Sequence, residues 1–340
     1  MNNRRKILII RTDRIGDVVL TLPLAKIIKQ HLDNVSITFL VREYTESLSR
    51  NNKYIDSTLV LPVKNGRINY FKLVSLIKKE SFDTAIIVYP RLRISLAVWF
   101  SGIKQRIGSG YRLFSFLFTH KIYEHRRSGD KHELEYNLSL LAPLGINEIE
   151  KNSVSFDIQT NKISEQKIDT LLKELKVPED KKLVIVHPGS GGSSIDLPIS
   201  SFIDLTKRLA RELAYSILIT GSETEKIFCE KFMIDKNTYN LAGKLNLEEL
   251  TALINRSNLL IANSTGPIHI AAALDKTVVG FYPKIKECSV ERWGPYTNNR
   301  LIFSPTIDCN NCTREQCERL NCMSSINIDE VFNKISNLLN

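Results

Sequence analysis

The chain has 340 residues, of which 43% are hydrophobic and 25% charged, and its formal net charge at pH 7 is +10. This length predicts two domains, and the composition is that of a globular protein rather than a disordered or fibrous one. The positive charge predicts an acidic partner, which could be nucleic acid, anionic lipid or a phosphorylated substrate. The apolar run at residues 7–10 is far too short for a signal peptide or a membrane span, so we expect a cytoplasmic protein.

Predicted strands alternate with predicted helices in the first half of the chain. Apolar runs predict strands at residues 6–10, 35–41, 57–61 and 84–88, and helices are predicted at residues 18–31, 70–79 and 133–144. Pro23 predicts a kink or a delayed start in the first helix. The alternation is typical of an α/β fold with a parallel sheet that helices cover on both faces. Because such sheets bind ligands beyond the carboxyl ends of their strands, the loop at residues 11–17 lies at a functional edge.

The loop at residues 11–17 carries both signs of charge, on Arg11, Asp13, Arg14 and Asp17. Asp17 is close to the N-terminus of a predicted helix, where the helix dipole stabilises a carboxylate and free N–H groups can donate to it. A structural helix cap is therefore one interpretation of Asp17, and a functional carboxylate is the other. Position alone does not separate the two.

Residues 91–132 are rich in basic and aromatic side chains, including Arg91, Arg93, Trp99 and Phe116. Basic residues interleaved with exposed aromatic rings fit an anionic, partly apolar ligand or a membrane surface. Aromatic residues buried in a core beneath a charged rim explain the same composition. Both interpretations stay open at this point.

The second half of the chain repeats the alternation of strands and helices. Strands are predicted at residues 183–187, 215–220, 259–262 and 277–282, and helices at residues 157–175, 198–213 and 246–256. Residues 177–182 predict a linker, which places the two domains at residues 1–176 and 183–340. The final helix could pack back on the first domain.

A glycine-rich loop follows the strand at residues 183–187. His187 is followed by Pro-Gly-Ser-Gly-Gly-Ser-Ser, which includes Ser190 and Gly191. Glycines between a strand and a helix let backbone N–H groups approach a phosphate closely. The loop matches neither the P-loop pattern nor the dinucleotide-binding fingerprint. We therefore expect a phosphate site of another kind.

A second candidate anion site follows the strand at residues 259–262. Asn263, Ser264, Thr265 and Gly266 form a turn of small residues, and the next residue is a proline suited to the first turn of a helix. Free N–H groups and the positive end of the helix dipole then face one point, which His269 can reach. An ordinary strand-to-helix crossover with a packed histidine is the alternative.

Four of the six cysteines are clustered near the C-terminus, at Cys309, Cys312, Cys317 and Cys322. Four thiolates can bind zinc tetrahedrally, and the first pair has a common ligand spacing. The cluster lacks the second Cys-x2-Cys pair of a zinc ribbon. We expect reduced or structural cysteines remote from the active site, with bound zinc as the alternative.

Motifs along almost the whole chain resemble those of the ADP-heptose:lipopolysaccharide heptosyltransferases, glycosyltransferase family 9. They are IGDVVLTLP from Ile15, HPGS from His187, LAGK from Leu241, NSTGPIHIAAA from Asn263 and RWGPY from Arg292. The late cysteines fit the same family. Each motif is short, but their joint occurrence in this order is specific.

The resemblance implies a GT-B fold, in which two Rossmann-like domains with parallel sheets face each other across a cleft. The C-terminal domain would hold the nucleotide sugar and the N-terminal domain the acceptor. The resemblance also implies inverting transfer without a metal or another cofactor. Asp17 would be the general base that removes the proton of the attacking acceptor hydroxyl. Helix N-termini and basic side chains would hold the donor diphosphate.

The resemblance assigns Thr265, Gly266 and His269 to the donor diphosphate and Glu223 to the ribose or base. The full set of expected donor-binding residues is His187, Ser190, Gly191, Glu223, Lys244, Ser264, Thr265, Gly266 and His269. The expected acceptor-binding residues are Arg11, Asp13, Arg14, Arg91 and Arg93.

The chain departs from the family pattern at two positions. Many members have a basic residue and Trp-Pro after the glycine-rich loop, where this chain has Ile195-Asp-Leu-Pro. Lys244, Lys284, Lys286 or Arg292 could replace the missing cation. Ser264 stands where several members have aspartate.

We therefore expect an enzyme that moves a heptose or related sugar from a nucleotide donor, ADP-heptose, to a lipopolysaccharide core acceptor. Its partners would be the donor, an anionic glycolipid and the inner-membrane surface, as a peripheral protein, without nucleic acid. A nucleotide-sugar epimerase of the same architecture is one alternative, and it would turn over its donor without an acceptor. A basic nucleic-acid-binding or metal-binding protein is another, and it would bind duplex DNA in a salt-dependent way.

Overall fold

The structure is a computed structural model that describes residues 4–126, 128–150, 153–308 and 312–339. Its contacts divide the described chain into two units, residues up to 126 with those of 131–159, and residues 128–130 with those from 160 onward. Residues 160–176, which the linker prediction assigns to the first domain, belong to the second unit. The reason is that the helix Lys162–Glu174 packs against the helix Leu247–Arg256, where Lys167 Nζ lies 3.1 Å from Glu249 Oε1.

The first unit alternates strands with helices. Its strands are β1 (Arg5–Ile10), β2 (Val35–Val41), β3 (Ser57–Val60), β4 (Val63–Lys64), β5 (Arg67–Ile68), β6 (Thr84–Ile87), β7 (Gln105–Ser109) and β8 (His120–Ile122). Its α-helices are α1 (Ile15–Val19), α2 (Pro23–His31), α3 (Glu46–Arg50), α4 (Tyr70–Glu80), α5 (Leu92–Phe100) and α6 (Glu133–Leu138). Short 3₁₀ helices span Glu43–Thr45, Ser115–Leu117 and Ser139–Leu144.

The main sheet of the first unit has the described strand order β3-β2-β1-β6-β7-β8, and each neighbouring pair is parallel. Helices α4 and α5 pack on one face of this sheet through an apolar core that includes Leu8, Leu73 and Ile94. The order reverses between β1 and β6, so the connections from these two strands leave in opposite directions. Such a switch point is where doubly wound sheets bind ligands.

The predicted helix at residues 18–31 is two helices, α1 and α2. Pro23 begins α2, because proline has no N–H to donate and suits only the first turn of a helix. The first helix begins earlier than predicted, at Ile15, so Asp17 lies inside its first turn. This resolves the choice between kink and delayed start in favour of a separate second helix.

The second unit has the same kind of alternation. Its strands are β9 (Leu183–His187), β10 (Ser216–Ile219), β11 (Thr238–Asn240), β12 (Leu259–Asn263), β13 (Thr277–Phe281) and β14 (Arg300–Phe303). Its α-helices are α7 (Lys162–Glu174), α8 (Ile199–Arg211), α9 (Lys226–Glu230), α10 (Leu247–Arg256), α11 (Gly266–Ala273), α12 (Val290–Trp293), α13 (Arg314–Leu320) and α14 (Ile328–Leu339). Short 3₁₀ helices span Glu223–Glu225, Lys286–Cys288 and Cys322–Ser325.

The sheet of the second unit has the described order β11-β10-β9-β12-β13-β14, again with parallel neighbours. Its switch point lies between β9 and β12, where His187 pairs in register with Ala262. A capping box formed by Asn246 and Glu249 is present at the start of α10. The last helix, α14, packs on α8 of the same unit, and Arg208 Nη1 lies 2.7 Å from Asp329 Oδ1.

The prediction from sequence misses several elements, among them β7, β8, β14 and α5. In β8 the side chains are exposed or half-buried, so no apolar run marks the strand. In the part of the chain that the structure describes, no helix is both long enough and apolar enough to cross a bilayer.

Candidate active site

A cluster of charged side chains lies just beyond the carboxyl end of β1. Arg11 is buried, with 2% of its surface exposed, and its Nε donates to Asp13 Oδ1 at 2.8 Å. Its Nη2 donates to Asp17 Oδ1. The backbone around Asp13 is held as well, because Tyr44 donates to the Asp13 carbonyl and Arg42 Nε donates to the Thr12 carbonyl at 2.8 Å.

Helix α6 supports this cluster from within the same unit. Arg11 Nη1 lies 3.4 Å from Glu133 Oε1 and 3.3 Å from Asn137 Oδ1. Glu133 also accepts a hydrogen bond from Arg126, and Asn137 Nδ2 donates to the Leu20 carbonyl at 2.9 Å. The guanidinium of Arg11 is therefore fixed on several sides, and it fixes Asp17 in turn.

The carboxylate of Asp17 pairs with Arg11 rather than capping its helix. The N-cap residue of α1 is Arg14, whose side chain makes no capping hydrogen bond. Burial raises the pKa of Asp17 to about 6, Arg11 opposes this rise, and the carboxylates of Asp13 and Glu133 add to it. Such a group is ionised at neutral pH and is basic enough to take a proton from a nearby hydroxyl. The helix-cap interpretation therefore lacks the contact that it requires.

Burial alone would lower the pKa of Arg11, but Asp13, Asp17 and Glu133 raise it above the ordinary arginine value. Arg11 thus remains a cation at every relevant pH. Because it is buried among carboxylates, it orients Asp13 and Asp17 and does not present a free charge to a ligand. Arg11 is among the residues predicted from sequence to bind the acceptor. Because it is buried, it can act on the acceptor only through Asp13 and Asp17, which it holds in place.

Arginines surround Tyr89, which follows β6 at the same switch point. The guanidinium carbon of Arg91 lies 5.2 Å from the centre of the Tyr89 ring, and those of Arg11 and Arg112 lie 5.9 Å from it. Tyr89 and Arg112 are not among the residues predicted from sequence. Tyr89 could have been predicted from the sequence, because it directly follows the strand predicted at residues 84–88.

The other predicted acceptor residues are less closely joined to this cluster. Arg14 and Arg93 are both exposed, the first at the N-cap of α1 and the second in the first turn of α5. Among the contacts of the described residues, none links Arg93 to Tyr89. The structure therefore brings Arg91 to the switch point and leaves Arg93 on the surface of α5.

In the second unit, His187 ends β9 and contacts the neighbouring strand end. Its Nδ1 lies 2.9 Å from Thr220 Oγ1. Burial lowers the pKa of His187 to about 4, although the Glu225 carboxylate opposes this shift, so the imidazole is neutral at pH 7. A neutral ring here can donate or accept one hydrogen bond but brings no charge to the site.

Asn263 joins the two loops of the second switch point. Its Oδ1 accepts from the Leu197 N–H at 2.9 Å, and its Nδ2 donates to the Pro188 carbonyl at 2.6 Å. Ser193 Oγ adds a bond of 2.9 Å to the Ser264 carbonyl. The glycine-rich loop after β9 and the turn after β12 are therefore one connected structure.

The glycine-rich loop takes a backbone path that requires glycine. Gly191 and Gly192 have φ angles of 55° and 72°, in the left-handed region. The Ser190 N–H donates to Asp196 Oδ2 at 3.3 Å, so it is used within the loop itself. Of the two loop residues predicted to bind the donor, Gly191 is exposed and Ser190 is buried.

The predicted turn and helix after β12 are confirmed as β12, a short turn and α11. Thr265 is the N-cap of α11, and its side chain makes no capping hydrogen bond. Thr265 and Gly266 are half-buried, whereas His269 lies in the first turn and is 4% exposed. The positive end of the α11 dipole thus points toward the loop that Asn263 holds, which suits an anion.

Glu223 and Lys244 lie beyond the carboxyl ends of β10 and β11. Gly243 has a φ of 75°, and a Cβ there would collide with the Glu223 carboxylate. The Gly243 N–H donates to the Gly221 carbonyl at 3.0 Å, which ties the two loops together. The structure therefore brings these predicted donor residues close to each other.

The position of the missing family cation is occupied by an acid, Asp196, whose pKa burial raises to about 6. The nearby basic group is Arg314 of α13, which no sequence motif marks. Its Nη2 donates to the carbonyls of Gly192 at 3.1 Å and Ser194 at 2.8 Å. Arg314 therefore holds the glycine-rich loop from outside.

The four lysine and arginine candidates for the missing cation have varied surroundings. Lys284 Nζ donates to the Ile307 carbonyl at 2.9 Å, and the Arg292 guanidinium carbon lies 5.1 Å from the Trp293 ring centre. Lys244 and Lys286 are exposed. Of the four candidates for the missing cation, Lys244 is thus the one that lies next to a predicted donor-binding residue, because the adjacent Gly243 contacts Glu223.

The predicted zinc ligands are only partly covered by the structure. Cys309 lies outside the described residues. Cys317 and Cys322 are buried in the apolar core of the second unit, and Cys312 is partly buried against it. Among the residues that the structure does describe, no group of three or more His, Cys, Asp or Glu side chains is arranged to hold a metal ion.

Comparison with known proteins identifies related sequences over most of the chain. A Haemophilus influenzae protein assigned provisionally to the glycosyltransferases is 28% identical over 309 residues, covering 88% of this chain and 89% of that protein. Lipopolysaccharide heptosyltransferase 1 of Campylobacter coli is 25% identical over 294 residues, covering 83% of this chain and 85% of that protein.

The fold also matches a solved structure. That of Escherichia coli ADP-heptose lipopolysaccharide heptosyltransferase II has a TM-score of 0.81 at 17% identity, with 98% of each chain covered. The predicted GT-B class, with two Rossmann-like domains, is confirmed. The family model for glycosyltransferase family 9 (heptosyltransferase) matches residues 70–323. Because this match covers more than half of the sequence, the chain belongs to glycosyltransferase family 9 and is a glycosyltransferase.

Proposed function

We propose that this enzyme transfers a heptose or a closely related sugar from ADP-heptose to a lipopolysaccharide core acceptor, with inversion at the anomeric carbon. The observation that carries the proposal is the buried pair of Arg11 and Asp17 at the carboxyl end of β1. It provides a fixed carboxylate with a raised pKa in the unit that, in this family, would bind the acceptor. The name of the C. coli relative supports the sugar and acceptor classes.

In the proposed reaction, Asp17 accepts the proton of the acceptor hydroxyl as the hydroxyl oxygen attacks the anomeric carbon. The bond between that carbon and the diphosphate oxygen breaks, and the nucleoside diphosphate leaves. A general base is most efficient when its pKa is close to the working pH, and a value of about 6 meets this condition. Arg11 balances the charge of Asp17 before transfer and holds it in position.

The donor diphosphate would bind at the switch point of the second unit. The N-terminus of α11 and the N–H groups of the glycine-rich loop would stabilise the leaving diphosphate. Neutral His187 would contribute a hydrogen bond without a charge. We assign Glu223 and Lys244 to the nucleoside end of the donor, because they lie close together beyond the ends of β10 and β11.

We propose an anionic glycolipid as the acceptor, bound by Arg91 and Arg112 at Tyr89, with the exposed Arg14 and Arg93 on the surface of the same unit. The enzyme would then work at the cytoplasmic face of the inner membrane as a peripheral protein. The exposed guanidinium groups of Arg91 and Arg112 beside the Tyr89 ring suit a phosphorylated sugar, since arginine binds phosphate oxygens in a bidentate way.

The test is a panel of ADP-, GDP-, UDP- and CMP-sugars, each incubated with and without a lipopolysaccharide core acceptor. We expect product only when ADP-heptose and the acceptor are both present. Consumption of a nucleotide sugar without acceptor would indicate the epimerase alternative. Product from another nucleotide sugar would keep the glycosyltransferase and replace the donor, whereas failure with every donor would overturn the proposed substrates.

A further inference from the structure

The first unit carries large apolar side chains on its surface, on α5 and on the loop that follows β7. Leu113 is 100% exposed and Phe116 is 74% exposed. On α5, Leu92, Trp99 and Phe100 are 49%, 46% and 57% exposed. Isolated exposed apolar residues are ordinary, but a group of this size on neighbouring elements marks an interaction site.

The spacing of the α5 residues places them on one side of the helix. Positions 92, 99 and 100 are separated by seven and eight residues, which is two turns of an α-helix. The opposite side of α5 is buried, with Ile94, Ala97 and Val98 at 0% exposure in the core of the unit. One side of α5 therefore packs in the core of the unit, and a second, apolar side is exposed to solvent.

The loop after β7 is anchored in the same way. The 3₁₀ helix Ser115–Leu117 contacts α5, and Leu117 and Phe118 are buried in the core that α5 helps to form. Leu113 and Phe116 therefore project from a fixed base. These two side chains are therefore exposed although the loop that carries them is packed against the core.

The segment that carries these residues has basic side chains and no acidic ones. Residues 84–123 contain no aspartate or glutamate, although the whole chain has 37. The basic residues of this segment are Arg91, Arg93, Lys104, Arg106, Arg112 and Lys121. Apolar side chains within a basic segment complement an anionic lipid surface, which offers negative headgroups over a hydrocarbon interior.

We propose that the α5 surface, formed by Leu92, Trp99, Phe100, Arg112, Leu113 and Phe116, docks on an anionic lipid bilayer. Leu113 and Phe116 enter the boundary between headgroups and acyl chains, Trp99 lies at the level of the headgroups, and the basic side chains bind lipid phosphates. A second copy of this chain is a poorer partner, because it would bring the same positive charge against itself.

The α5 surface continues into the candidate acceptor site, and this part of the inference rests on the proposed function. Arg91 is the N-cap residue of α5 and contacts Tyr89, whereas the apolar residues follow along the same helix. A glycolipid held at Tyr89 by its phosphorylated sugar could keep its acyl chains in the bilayer on which α5 rests. The surface thus selects acceptors that are still embedded in a membrane.

The test is sedimentation of the full chain with vesicles of phosphatidylcholine alone or with added phosphatidylglycerol. We expect binding that requires the anionic lipid and weakens with salt. The double variant Leu113→Ser/Phe116→Ser should bind about tenfold more weakly, since each side chain loses part of its transfer free energy into the bilayer. The matched control is Ile163→Ser/Ile227→Ser in the second unit, where the side chains are 69% and 84% exposed; it should bind like the parent.

Absence of vesicle binding by the parent, or equal binding by the Leu113/Phe116 variant, would overturn the proposal. Loss of self-association in that variant, without a change in vesicle binding, would instead identify a second copy as the occupant. Activity on a water-soluble, deacylated acceptor separates this inference from the proposed function. The variant should match the parent there and be slower only on acceptor in vesicles. If the parent binds vesicles but transfers sugar to neither acceptor, the proposed function is wrong and the proposed docking surface is still supported.

Discussion

Arg11 shows how one buried residue sets the chemistry of its neighbours. A cation at 2% exposure is stable only because carboxylates surround it, and those carboxylates are held close together because of it. The pKa of Asp17 in the folded chain lies above that of an unfolded aspartate. The folded state therefore binds more protons between about pH 4 and 6, and ionisation of Asp17 lowers stability as the pH rises through this window.

Replacement of Asp17 by asparagine should abolish most turnover and leave donor affinity nearly unchanged. Asparagine preserves the shape of the side chain but cannot take a proton, and a general base contributes about 10² to 10⁴ in rate. Steady-state transfer and calorimetric titration with ADP measure the two effects. The control is the exposed carboxyl in Asp33→Asn. A fully active Asp17 variant, or one that loses rate and donor affinity equally, would refute the role of base.

The pH–rate profile should rise through about pH 6, where Asp17 ionises, and then level off. Glu133→Gln removes a negative charge that raises the pKa of Asp17, so it should move this rise to lower pH. Glutamine can still accept from Arg11 and Arg126, which preserves the geometry. An unchanged profile with a lower plateau would mean that Glu133 only supports the fold.

At the scale of elements, the candidate donor site consists of loops at strand ends that glycines and one asparagine hold in place. In the second unit, Asn263 connects the loops after β9 and β12, and Gly243 makes room for Glu223 between the loops after β10 and β11. These contacts join segments that are far apart in sequence. They turn four separate loops into two connected pairs.

The variant Gly243→Ala should weaken ADP binding about tenfold, because the new Cβ displaces the Glu223 carboxylate and a charged hydrogen bond to the nucleoside is lost. Gly102→Ala is a matched control, since Gly102 has a φ of 79° and no neighbour within 4 Å of an added Cβ. Both variants should lose about 1 kcal/mol of stability through left-handed alanine. Equal ADP affinity in the two would show that Glu223 does not contact the donor.

At the scale of the whole molecule, two units with the same strand order carry different chemistry at their switch points. The first has a buried carboxylate beside arginines, and the second has glycine-rich loops and a helix N-terminus. This division fits the proposed reaction, in which one unit activates a nucleophile and the other stabilises a leaving group.

Transfer should persist in excess EDTA, because N–H groups, the α11 dipole and basic side chains are proposed to stabilise the diphosphate. The measurement is the rate before and after chelation, followed by addition of magnesium or manganese. The parent treated with buffer alone is the reference. A chelated enzyme that regains its rate only with one of these metals would overturn this part of the mechanism.

The sequence by itself was enough to determine the α/β class, the principal strands and the positions of the candidate functional loops. Buried strands such as β1, β9 and β12 are continuous apolar runs, and the polar or glycine-rich residues that follow them are local in the chain. Local pattern therefore predicts Asp17, the glycine-rich loop and the turn at Thr265. Strand β8 has no such pattern, so it was missed.

Only the tertiary structure decided how these residues are arranged. The partner of Arg11 in α6 is 122 residues away, and Arg314 reaches the Ser194 carbonyl from 120 residues away. Neither contact can be recognised from a short stretch of sequence. Both arise because helices pack on a sheet, and no single segment of the chain determines the order of the strands in that sheet. The same packing buried Arg11, raised the pKa of Asp17 and left one side of α5 apolar and exposed, since burial depends on which elements meet rather than on which residues are adjacent.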